Sequence, residues 1–465
     1  MFQLIIEYKC DVGEIIVNEL SIIIIVHNQK EILINQIKLL KIFNNIDSKN
    51  ITIVDNYSSD GLKEFLEAQN EYNYVICDKH IENFSFIINT CIREFAHDSD
   101  FLILNPGAIL LPGSLNILLD NLNPKKGIYT VTPCSLYYGD KDIHSIEDAI
   151  IYSDNRKSLK GLECVMKPND ITVLISKELL SDDKPFDDNI ASYKTSYSDF
   201  FIRAILNDRF LYNVNNAFQY VISPYNDYYE KILGKDYDSG YIRNKWHMNY
   251  LNMGPNYNLI QEIKEASDKS FNVLEVGCDC GATLLEIHNR FPESSVYGVE
   301  INAVSANIAS HIANIKVGNI EESVDLWNNI KFDYIIFGDV LEHLHNPDKV
   351  VKECLSILNS NGKIISSIPN LMHYSVLYQL INGNFTYTDT GLLDRTHIHF
   401  FTYNEIIHMF ENNGYKIISA KGISNINKNS KQIKDFIDAI TELSNHEQRE
   451  FFEVYQYVTV SQKVN

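Results

Sequence analysis

Apolar and polar positions along the chain form two separate series of buried strands and amphipathic helices. The first series opens with Leu20-Ser-Ile-Ile-Ile-Ile-Val26, a nearly continuous β-branched run. Such a run is typical of a parallel strand that is buried on both faces. Helical spacing follows at about 31–43 and again at 86–95. Shorter strands are predicted at 51–54, 74–77 and 101–104. The alternation predicts an α/β domain.

The second series begins after a stretch in which this pattern loosens. Between about residues 225 and 270, tyrosine and asparagine accumulate, and one helix near 258–266 is predicted. Strands are then predicted at 272–276, 296–300, 313–317, 333–337, 363–368, 415–420 and 455–461. The boundaries that follow are an N-terminal extension at 1–19, an α/β domain at 20–224, a linker at 225–257 and a second α/β domain at 258–465.

Length, composition and charge limit what this chain can do. Its 465 residues, 45% of them hydrophobic, are enough for two or three globular domains. A formal net charge of −21 would repel nucleic acid and anionic lipid over most of the surface, so neither is an expected partner. The longest apolar run, Ile22–Val26, is too short to cross a bilayer, and the first residues lack a signal peptide's layout. We therefore expect no membrane span and a cytoplasmic location.

The eight cysteines are scattered, and only Cys278 and Cys280 lie close together. A structural zinc site would need two such pairs or additional histidines. Reduced thiols are therefore expected, and the sequence predicts no metal ligands.

The most informative motif is Val273-Leu-Glu-Val-Gly-Cys-Asp-Cys-Gly281, which joins a predicted strand to a helix. A dinucleotide-binding turn has glycine in its middle position, whereas this chain has Asp279, whose carboxylate would repel a diphosphate. S-adenosylmethionine (SAM) has no phosphate and carries an ammonium and a sulfonium, so acidic residues suit it. Glu300 ends the next strand, where a carboxylate can accept hydrogen bonds from both ribose hydroxyls. Taken alone, the glycines are equally consistent with a plain turn.

These motifs resemble, in their order, those of the class I SAM-dependent methyltransferases, from about residue 258 to 464. The segment 273–281 matches the first motif, Gly318-Asn-Ile-Glu321 the loop that contacts adenine, and 332–343 the fourth strand with its turn. The resemblance implies SAM as cofactor and a doubly wound sheet with an antiparallel edge strand at 454–461. The cofactor-binding residues that it implies are Glu275, Gly277, Cys278, Asp279, Gly281, Glu300, Ile301, Asn319, Ile320, Asp339 and Val340.

Methyl transfer is mainly a positioning task, but a sugar hydroxyl acceptor would gain roughly 10²–10⁴-fold from a general base. His343 directly follows the fourth strand, and the segment 393–402, which resembles one in methyltransferases of bacterial glycan clusters, supplies His397. We take both as candidate catalytic bases, although a lone histidine is more often structural. Asp339 and Glu342 are expected to orient the cofactor or this later loop.

The first domain carries a different signature. Ser21-Ile-Ile-Ile-Ile-Val-His-Asn28 and Val54-Asp-Asn-Tyr-Ser-Ser-Asp-Gly61 resemble the nucleotide-binding motifs of glycosyltransferase family 2, a GT-A fold, as do segments 82–89 and 104–114. The resemblance implies a Rossmann-type domain, a nucleotide sugar and a glycan or glycoprotein acceptor. The residues implied to bind the nucleotide sugar are His27, Asn28, Asp55, Asn56, Ser58, Asn89 and Asn105.

Departures from this second family leave two hypotheses open. The family's metal-binding aspartate falls on Gly107 and its catalytic acidic pair on Ser196–Tyr197, which places a Mn or Mg ion in doubt. Either the domain transfers sugar without a metal, with Asp187, Asp188 or Asp199 as base, or it is a silent module that binds a nucleotide sugar or glycan. The chain is accordingly predicted to be a bifunctional glycan-modifying enzyme, or a methyltransferase with a silent GT-A-like module.

Overall fold

The computed structural model describes residues 19–96, 98–140, 143–159, 161–168, 172–180, 184–222, 239–248, 253–327, 330–424, 430–444 and 449–464. The predicted extension up to residue 18, and residues 225–238 and 249–252 of the predicted linker, lie outside this set. The chain divides into two compact units, Met1–Met253 and Gly254–Asn465. None of the helices within the described ranges is long and apolar enough to span a membrane.

Unit 1 is built on one mixed sheet. Its strands are β1 (Leu20–Val26), β2 (Ile51–Asp55), β3 (Asn73–Ile76), β4 (Asp100–Ile103), β5 (Ala108–Leu110), β6 (Thr130–Tyr137), β7 (Leu162–Val165), β8 (Val173–Ile175) and β9 (Leu211–Val221). Its helices are α1 (Lys30–Asn44), α2 (Leu62–Glu67), α3 (Phe84–Phe95), α4 (Ser114–Asn121), α5 (Ile146–Asp154), α6 (Tyr193–Ile205) and α7 (Ser239–Trp246).

The strands of unit 1 follow the order β3-β2-β1-β4-β8-β6-β9-β5, and β7 pairs with β9. The first four are parallel, so their carboxyl ends meet at one edge of the sheet. β1 is buried at all seven positions and has a parallel strand on each side, as its apolar run predicts. β8 then pairs antiparallel to β4, which makes the sheet mixed.

Unit 2 contains a second sheet with helices between its strands. The strands are β10 (Asn272–Val276), β11 (Ser295–Glu300), β12 (Asn314–Val317), β13 (Phe332–Gly338), β14 (Leu358–Pro369), β15 (Tyr415–Ile423) and β16 (Gln456–Lys463). The helices are α8 (Tyr257–Ile260), α9 (Ala282–Arg290), α10 (Ala303–Ala309), α11 (Pro347–Cys354), α12 (Tyr374–Ile381), α13 (Tyr403–Asn412), α14 (Lys431–Leu443) and α15 (Glu450–Glu453).

The strands of unit 2 follow the order β12-β11-β10-β13-β14-β16-β15. Unit 2 has a hydrophobic core on each face of its sheet, and successive side chains of the central strands point into different cores. Leu274 packs in one of these cores and Val273 in the other. This explains why β10 and β13 read as continuous apolar runs. The carboxyl ends of β10, β11 and β13 meet at one edge, where the predicted cofactor motifs lie.

The C-terminal strand is antiparallel, as expected, but its predicted edge position is wrong. β16 lies between β14 and β15 and is antiparallel to both, so β15 forms the edge. Burial explains the order: five consecutive residues of β16, Tyr457–Ser461, are buried, whereas β15 is mostly exposed or half-buried. A strand with both faces covered is stabilised by neighbours on each side, whereas β15 can leave one side open.

The helix predicted near 258–266 is also shorter than expected. α8 ends at Ile260, and tight turns follow, in which the amide of Glu262 donates to Leu259 and that of Ile263 to Ile260. Leu259, Ile260 and Ile263 are all buried, so the apolar spacing that predicted a helix is satisfied by turns.

Candidate active site

The turn after β10 requires glycine at two positions. Gly277 has φ +70°, and a Cβ there would lie 2.7 Å from a methyl group of Val340, which follows β13. Gly281 has φ +88°, and a Cβ there would lie 3.1 Å from that of Ala309 in α10. Larger residues would therefore both strain the backbone and push neighbouring elements away. The turn closes when the Gly281 amide donates to the Cys278 carbonyl (2.9 Å), and α9 begins directly after it.

Glu300 is fixed beside this turn by backbone hydrogen bonds. One carboxylate oxygen accepts from the amide of Asp279 (3.0 Å) and the other from the amide of Asn302 (2.8 Å). The end of β11 and the glycine turn are thus brought together, as the motif spacing predicts. The carboxylate retains acceptor capacity for further donors because each oxygen has a second lone pair.

Three acidic side chains surround the turn: Glu275 and Glu300 are buried, and Asp279 is half-buried. Glu275 is 5% exposed, and its Oε2 has no hydrogen-bond partner among the described residues. Burial, with added repulsion from Asp279 and Glu300, raises the pKa of Glu275 to about 8 despite a hydrogen bond from Thr283. Burial likewise raises the pKa of Asp279 to about 6, with Glu300 adding to the effect. The edge of the sheet is therefore suited to a cationic ligand without phosphate.

The remaining predicted cofactor residues occupy the same edge in different environments. Ile301 is 70% exposed beside Glu300, so its apolar surface is available to a ligand. Ile320 is buried in the core, and the side-chain oxygen of Asn319 accepts from the amide of Glu321 (3.0 Å), which holds the loop after β12.

Asp339, Val340 and Cys278 complete this set. Asp339 lies in the left-handed region (φ +54°), and its amide donates to both the carbonyl and the hydroxyl of Ser367. The side chain of Val340 packs against the position that a Cβ of Gly277 would occupy. It thereby sets the distance between the turns that follow β10 and β13. The Cys278 side chain is buried in the core, and burial raises the pKa of its thiol, which leaves only its backbone to face a ligand.

Both candidate bases lie together just beyond β13. The imidazole centroids of His343 and His397 are 4.8 Å apart in an edge contact. His343 Nδ1 lies 3.1 Å from the carbonyl of Thr396, and His397 Nδ1 lies 3.3 Å from the carbonyl of Leu392. A carbonyl can only accept, so each Nδ1 carries the proton, and no hydrogen bond from the described residues occupies the lone pair of either Nε2.

Glu342 links these two segments, although it is absent from the predicted site. Its backbone carbonyl accepts from the amides of Ile398 (2.9 Å) and His399 (3.0 Å), which fixes the later loop against β13. Its side chain is 1% exposed, and both carboxylate oxygens lack a hydrogen-bond partner among the described residues. Burial, with repulsion from Asp339, raises the pKa of Glu342 well above its ordinary value. Its place next to His343 is the signal that marked it as an orienting residue.

Comparison with known proteins matches this part of the chain to an enzyme family. Residues 248–420 match the family model described as a methyltransferase domain. They form a class I SAM-dependent methyltransferase domain. The chain is therefore a SAM-dependent methyltransferase, and SAM is its cofactor.

Individual relatives are distant. The ubiquinone biosynthesis O-methyltransferase of Coxiella burnetii is 23% identical over 160 residues, which cover 33% of this chain and 68% of the relative. The mitochondrial protein of that name from Dictyostelium discoideum is 23% identical over 170 residues, which cover 33% and 53%. A solved SAM-dependent methyltransferase from Archaeoglobus fulgidus is 18% identical, with a TM-score of 0.32, over 52% of this chain and 100% of that structure.

The acidic edge of the methyltransferase domain fits SAM. The unpartnered oxygen of Glu275 suits a cation, and Glu300 can receive ribose hydroxyls. When bound, SAM supplies an electrophilic methyl group on its sulfonium. The turn at 277–281 and the carboxylates are the groups expected to orient the cofactor, and the two histidines lie just beyond the neighbouring strand β13.

Raising the pH from about 5 to about 8 is expected to destabilise the SAM-free protein. Glu275 and Asp279 keep their protons in the folded state at pH values where they lose them on unfolding, because their folded pKa values of about 8 and about 6 exceed the ordinary 4.5 and 3.8. Their contribution to the free energy of unfolding is complete below their ordinary pKa values. It is lost as the pH rises through the pKa values of the folded state. Saturating SAM, whose cations favour the ionised carboxylates, should raise Tm more at pH 8 than at pH 5.

Thermal melts with and without SAM at low ionic strength measure this effect. The Glu275→Gln variant, which cannot titrate there, should show a smaller pH dependence than the natural protein. An equal SAM-induced shift at both pH values would contradict the assignment of these carboxylates to the cofactor site.

In unit 1, five predicted nucleotide-sugar residues lie together at the carboxyl ends of β1 and β2. His27 Nδ1 contacts the carbonyl of Asn56 (2.9 Å), and the side-chain oxygen of Asn28 accepts from the amide of Ser59 (2.7 Å). The buried carboxylate of Asp55 accepts from the amide of Ser58 (2.9 Å).

Three of the predicted nucleotide-sugar residues also make hydrogen bonds within the fold. The side chain of Asn56 exchanges two hydrogen bonds with the backbone of Ile81 (2.8 and 2.9 Å), so it joins β2 to the following loop. Asn89 in α3 similarly exchanges bonds with the backbone of Phe186 (2.7 and 3.1 Å) and donates to Asp188. Asn105 is buried after β4, where its backbone carbonyl accepts a hydrogen bond from the side chain of Gln36 (2.7 Å).

The predicted base Asp199 is enclosed by cationic and polar partners. Its carboxylate is fully buried and accepts from Arg203 (2.9 Å), Lys245 (2.7 Å) and the indole of Trp246 (2.8 Å). These contacts join α6 to α7. The oxygens of this carboxylate are already engaged by two cations and an indole, so the side chain has a structural role between these helices.

The alternative bases Asp187 and Asp188 are also engaged. Asp187 accepts from Lys245 (2.6 Å) and Tyr241 (2.7 Å), and these bonds outweigh its burial and hold its pKa well below the usual range. Asp188 pairs with Lys184. The geometry therefore does not favour any of the three predicted carboxylates as a base.

Proposed function

We propose that the methyltransferase domain O-methylates a hydroxyl group of a glycan or glycan precursor. The observation that carries this proposal is the pair His343 and His397, whose Nε2 atoms have free lone pairs beside the cofactor edge. A methyl group of Val340 lies against Gly277, and His343 follows Val340 by three residues, so the turn that carries His343 begins beside the predicted cofactor turn.

The pair has the electrostatic properties of a proton acceptor. Burial, together with neighbouring His343, lowers the pKa of His397, which favours the neutral ring. The carboxylate of Asp394, held by the amide (2.8 Å) and hydroxyl (2.6 Å) of Thr396, attracts the charge that develops when His343 or His397 takes a proton. The hydroxyl proton moves to Nε2 as the oxygen attacks the methyl carbon, and the leaving sulfur keeps the electron pair.

Aromatic side chains next to this pair supply an acceptor surface. Phe400 lies 6.1 Å from His397 between ring centroids, and it contacts Phe385 (5.9 Å) and Tyr387 (6.5 Å). Phe385 and Tyr387 are exposed. Such rings can pack on the C–H face of a sugar or on a phenol.

A second candidate acceptor is a phenol, because the relatives named above are O-methyltransferases of ubiquinone biosynthesis. The full-length protein should be incubated with SAM carrying a labelled methyl group and with matched panels of glycosides and catechols. Label on a sugar oxygen supports the first proposal, and label confined to catechols supports the second. Label on nitrogen or carbon alone would refute both.

We propose further that unit 1 binds a nucleotide sugar at the carboxyl ends of β1 and β2. Support comes from the parallel order β3-β2-β1-β4 and from Asp55, which is buried where a base-binding carboxylate is expected. The engagement of all three candidate base carboxylates favours the silent binding module over sugar transfer. The bifunctional enzyme is the alternative.

Replacing Asp55 by alanine is expected to weaken nucleotide-sugar binding by about 1–3 kcal/mol, or roughly 5–150-fold, because a charged acceptor is lost. Calorimetry with uridine, guanosine and thymidine diphosphate sugars, each with and without manganese, measures this effect. Asp60→Ala is the matched control, since the carboxylate of Asp60 lies in the same loop region and accepts hydrogen bonds from the backbone amides of Lys30 and Leu62. Hydrolysis of a nucleotide sugar that is lost in Asp55→Ala would favour the bifunctional enzyme.

A further inference from the structure

Three side chains beyond β13 form a cluster with the composition of a metal site. One ligand atom each from Glu342, His343 and His397 lies within 4.8 Å of the others. Two of these residues belong to the short turn after β13, and the third comes from the loop that the Glu342 carbonyl holds in place. We propose that they bind a divalent transition-metal ion, with Zn²⁺ as the expected occupant.

The side chain of Glu342 needs a partner that the described residues do not supply. It is 1% exposed, and neither oxygen has a hydrogen bond. A buried carboxylate without a partner is costly, and groups of this kind are rare in native proteins. Nearby Asp339 and Asp394 are acidic and make the charge less favourable still. A bound cation would satisfy both oxygens and compensate the local negative charge.

The histidines are held as metal-binding histidines usually are. Each points Nδ1 at a backbone carbonyl, that of Thr396 for His343 and that of Leu392 for His397. Metal ligands commonly donate their second ring nitrogen in this way, because the bond fixes the tautomer and the orientation of the ring. Both Nε2 atoms therefore remain available as ligands without any change of protonation.

The ligand set favours a particular class of ion. Two imidazoles and one carboxylate suit zinc and other transition metals, whereas magnesium prefers oxygen ligands. The ligand atoms must close to below about 4.2 Å, twice the usual zinc–nitrogen distance of about 2.1 Å. Both imidazoles are half-buried rather than enclosed, so small rotations can achieve this.

Three protein ligands leave at least one position open, as in catalytic zinc sites. This part of the inference rests on the proposed hydroxyl acceptor. An acceptor oxygen in the open position would have a lowered pKa, so its proton could pass to water. The carbon–oxygen bond then forms while the carbon–sulfur bond breaks, and no oxidant or reductant is needed. The histidines would act as ligands, and the ion would replace them in activating the hydroxyl.

The test begins with metal binding in the full chain, without any acceptor. Protein treated with a chelator and dialysed is titrated with Zn²⁺, Mn²⁺ and Mg²⁺ by calorimetry, and Co²⁺ is titrated by visible absorption. We expect one high-affinity Zn²⁺ per chain, a Co²⁺ spectrum in the visible range and much weaker Mg²⁺ binding.

Variants then assign the site. Glu342→Gln, His343→Gln and His397→Gln should each weaken Zn²⁺ binding by at least about 100-fold, more than the loss of an outer hydrogen-bonding partner causes. His399→Gln is the matched control, because His399 lies in the same loop but bonds the carbonyl of His345. SAM binding and a thermal melt of each variant show whether the fold is intact.

The outcomes separate the metal site from the proposed function. Absence of Zn²⁺ binding, or equal binding by all four variants, overturns the site. Site-specific binding in a protein that methylates no hydroxyl supports the site while the acceptor proposal fails. Full hydroxyl methylation in the continued presence of a chelator overturns the role of the ion in catalysis.

Discussion

Replacing His343 by glutamine is expected to lower kcat for methyl transfer by about 10²–10⁴-fold, the usual contribution of hydroxyl activation. His343 is oriented by Thr396, and its Nε2 lone pair is the feature that glutamine cannot reproduce. Because the contacts of its side chain among the described residues are with the later loop, the dissociation constant of SAM should change by less than about threefold, as for a substitution that removes no contact with the ligand.

The measurement compares kcat, KM and SAM affinity of the variant and the natural protein from about pH 5 to 9. The natural protein should lose activity as the pH falls, because protonation removes the lone pair of His397, whose pKa burial places below the ordinary histidine value. His343→Gln should show a reduced kcat throughout this range. A variant whose kcat falls less than about fivefold, with an unchanged pH profile, would show that His343 is structural.

Replacing Glu300 by alanine is expected to weaken SAM binding by about 1–3 kcal/mol, or roughly 5–150-fold. Two effects act together: the acceptor for the ribose hydroxyls is lost, and the amides of Asp279 and Asn302 lose their partner. The second effect loosens the turn itself, so we expect a loss near the upper end of this range.

Calorimetry with SAM and with its demethylated product measures this loss. Glu300→Gln, which keeps one acceptor oxygen, should fall between the natural protein and the alanine variant. Glu293→Ala removes the same charge from an exposed position before β11 and should leave affinity unchanged. Unchanged affinity in Glu300→Ala would refute the assignment of this carboxylate to the ribose.

The parts of the site that the sequence predicted are those with local causes. Gly277 and Gly281 stand where the backbone needs positive φ, and this requirement is visible in the residue type itself. Glu300 is the last residue of a strand whose length is visible in its apolar run. The position of Glu300 at the edge of the sheet therefore follows from the sequence. Asp279, in the middle of the turn, favoured SAM over a diphosphate ligand.

The expectations that failed or changed depended on distant partners. Asp199 has the residue type of a base, but Lys245 and Trp246, more than forty positions later, enclose its carboxylate. Glu342 was expected to orient the cofactor or the later loop. The carboxylate of Glu342 belongs to a cluster of possible metal ligands only because the fold brings His397, 55 positions later in the chain, next to it.

The sequence alone determined that this chain has two α/β units and where most of their strands lie. It also located the glycine turn in the second unit, because periodicity and turn chemistry act over a few residues. Tertiary structure decided that β16 enters the sheet between β14 and β15, and which carboxylates are paired and which are left without partners. Those outcomes depend on burial and on hydrogen bonds between segments far apart in the chain, and no local pattern records either.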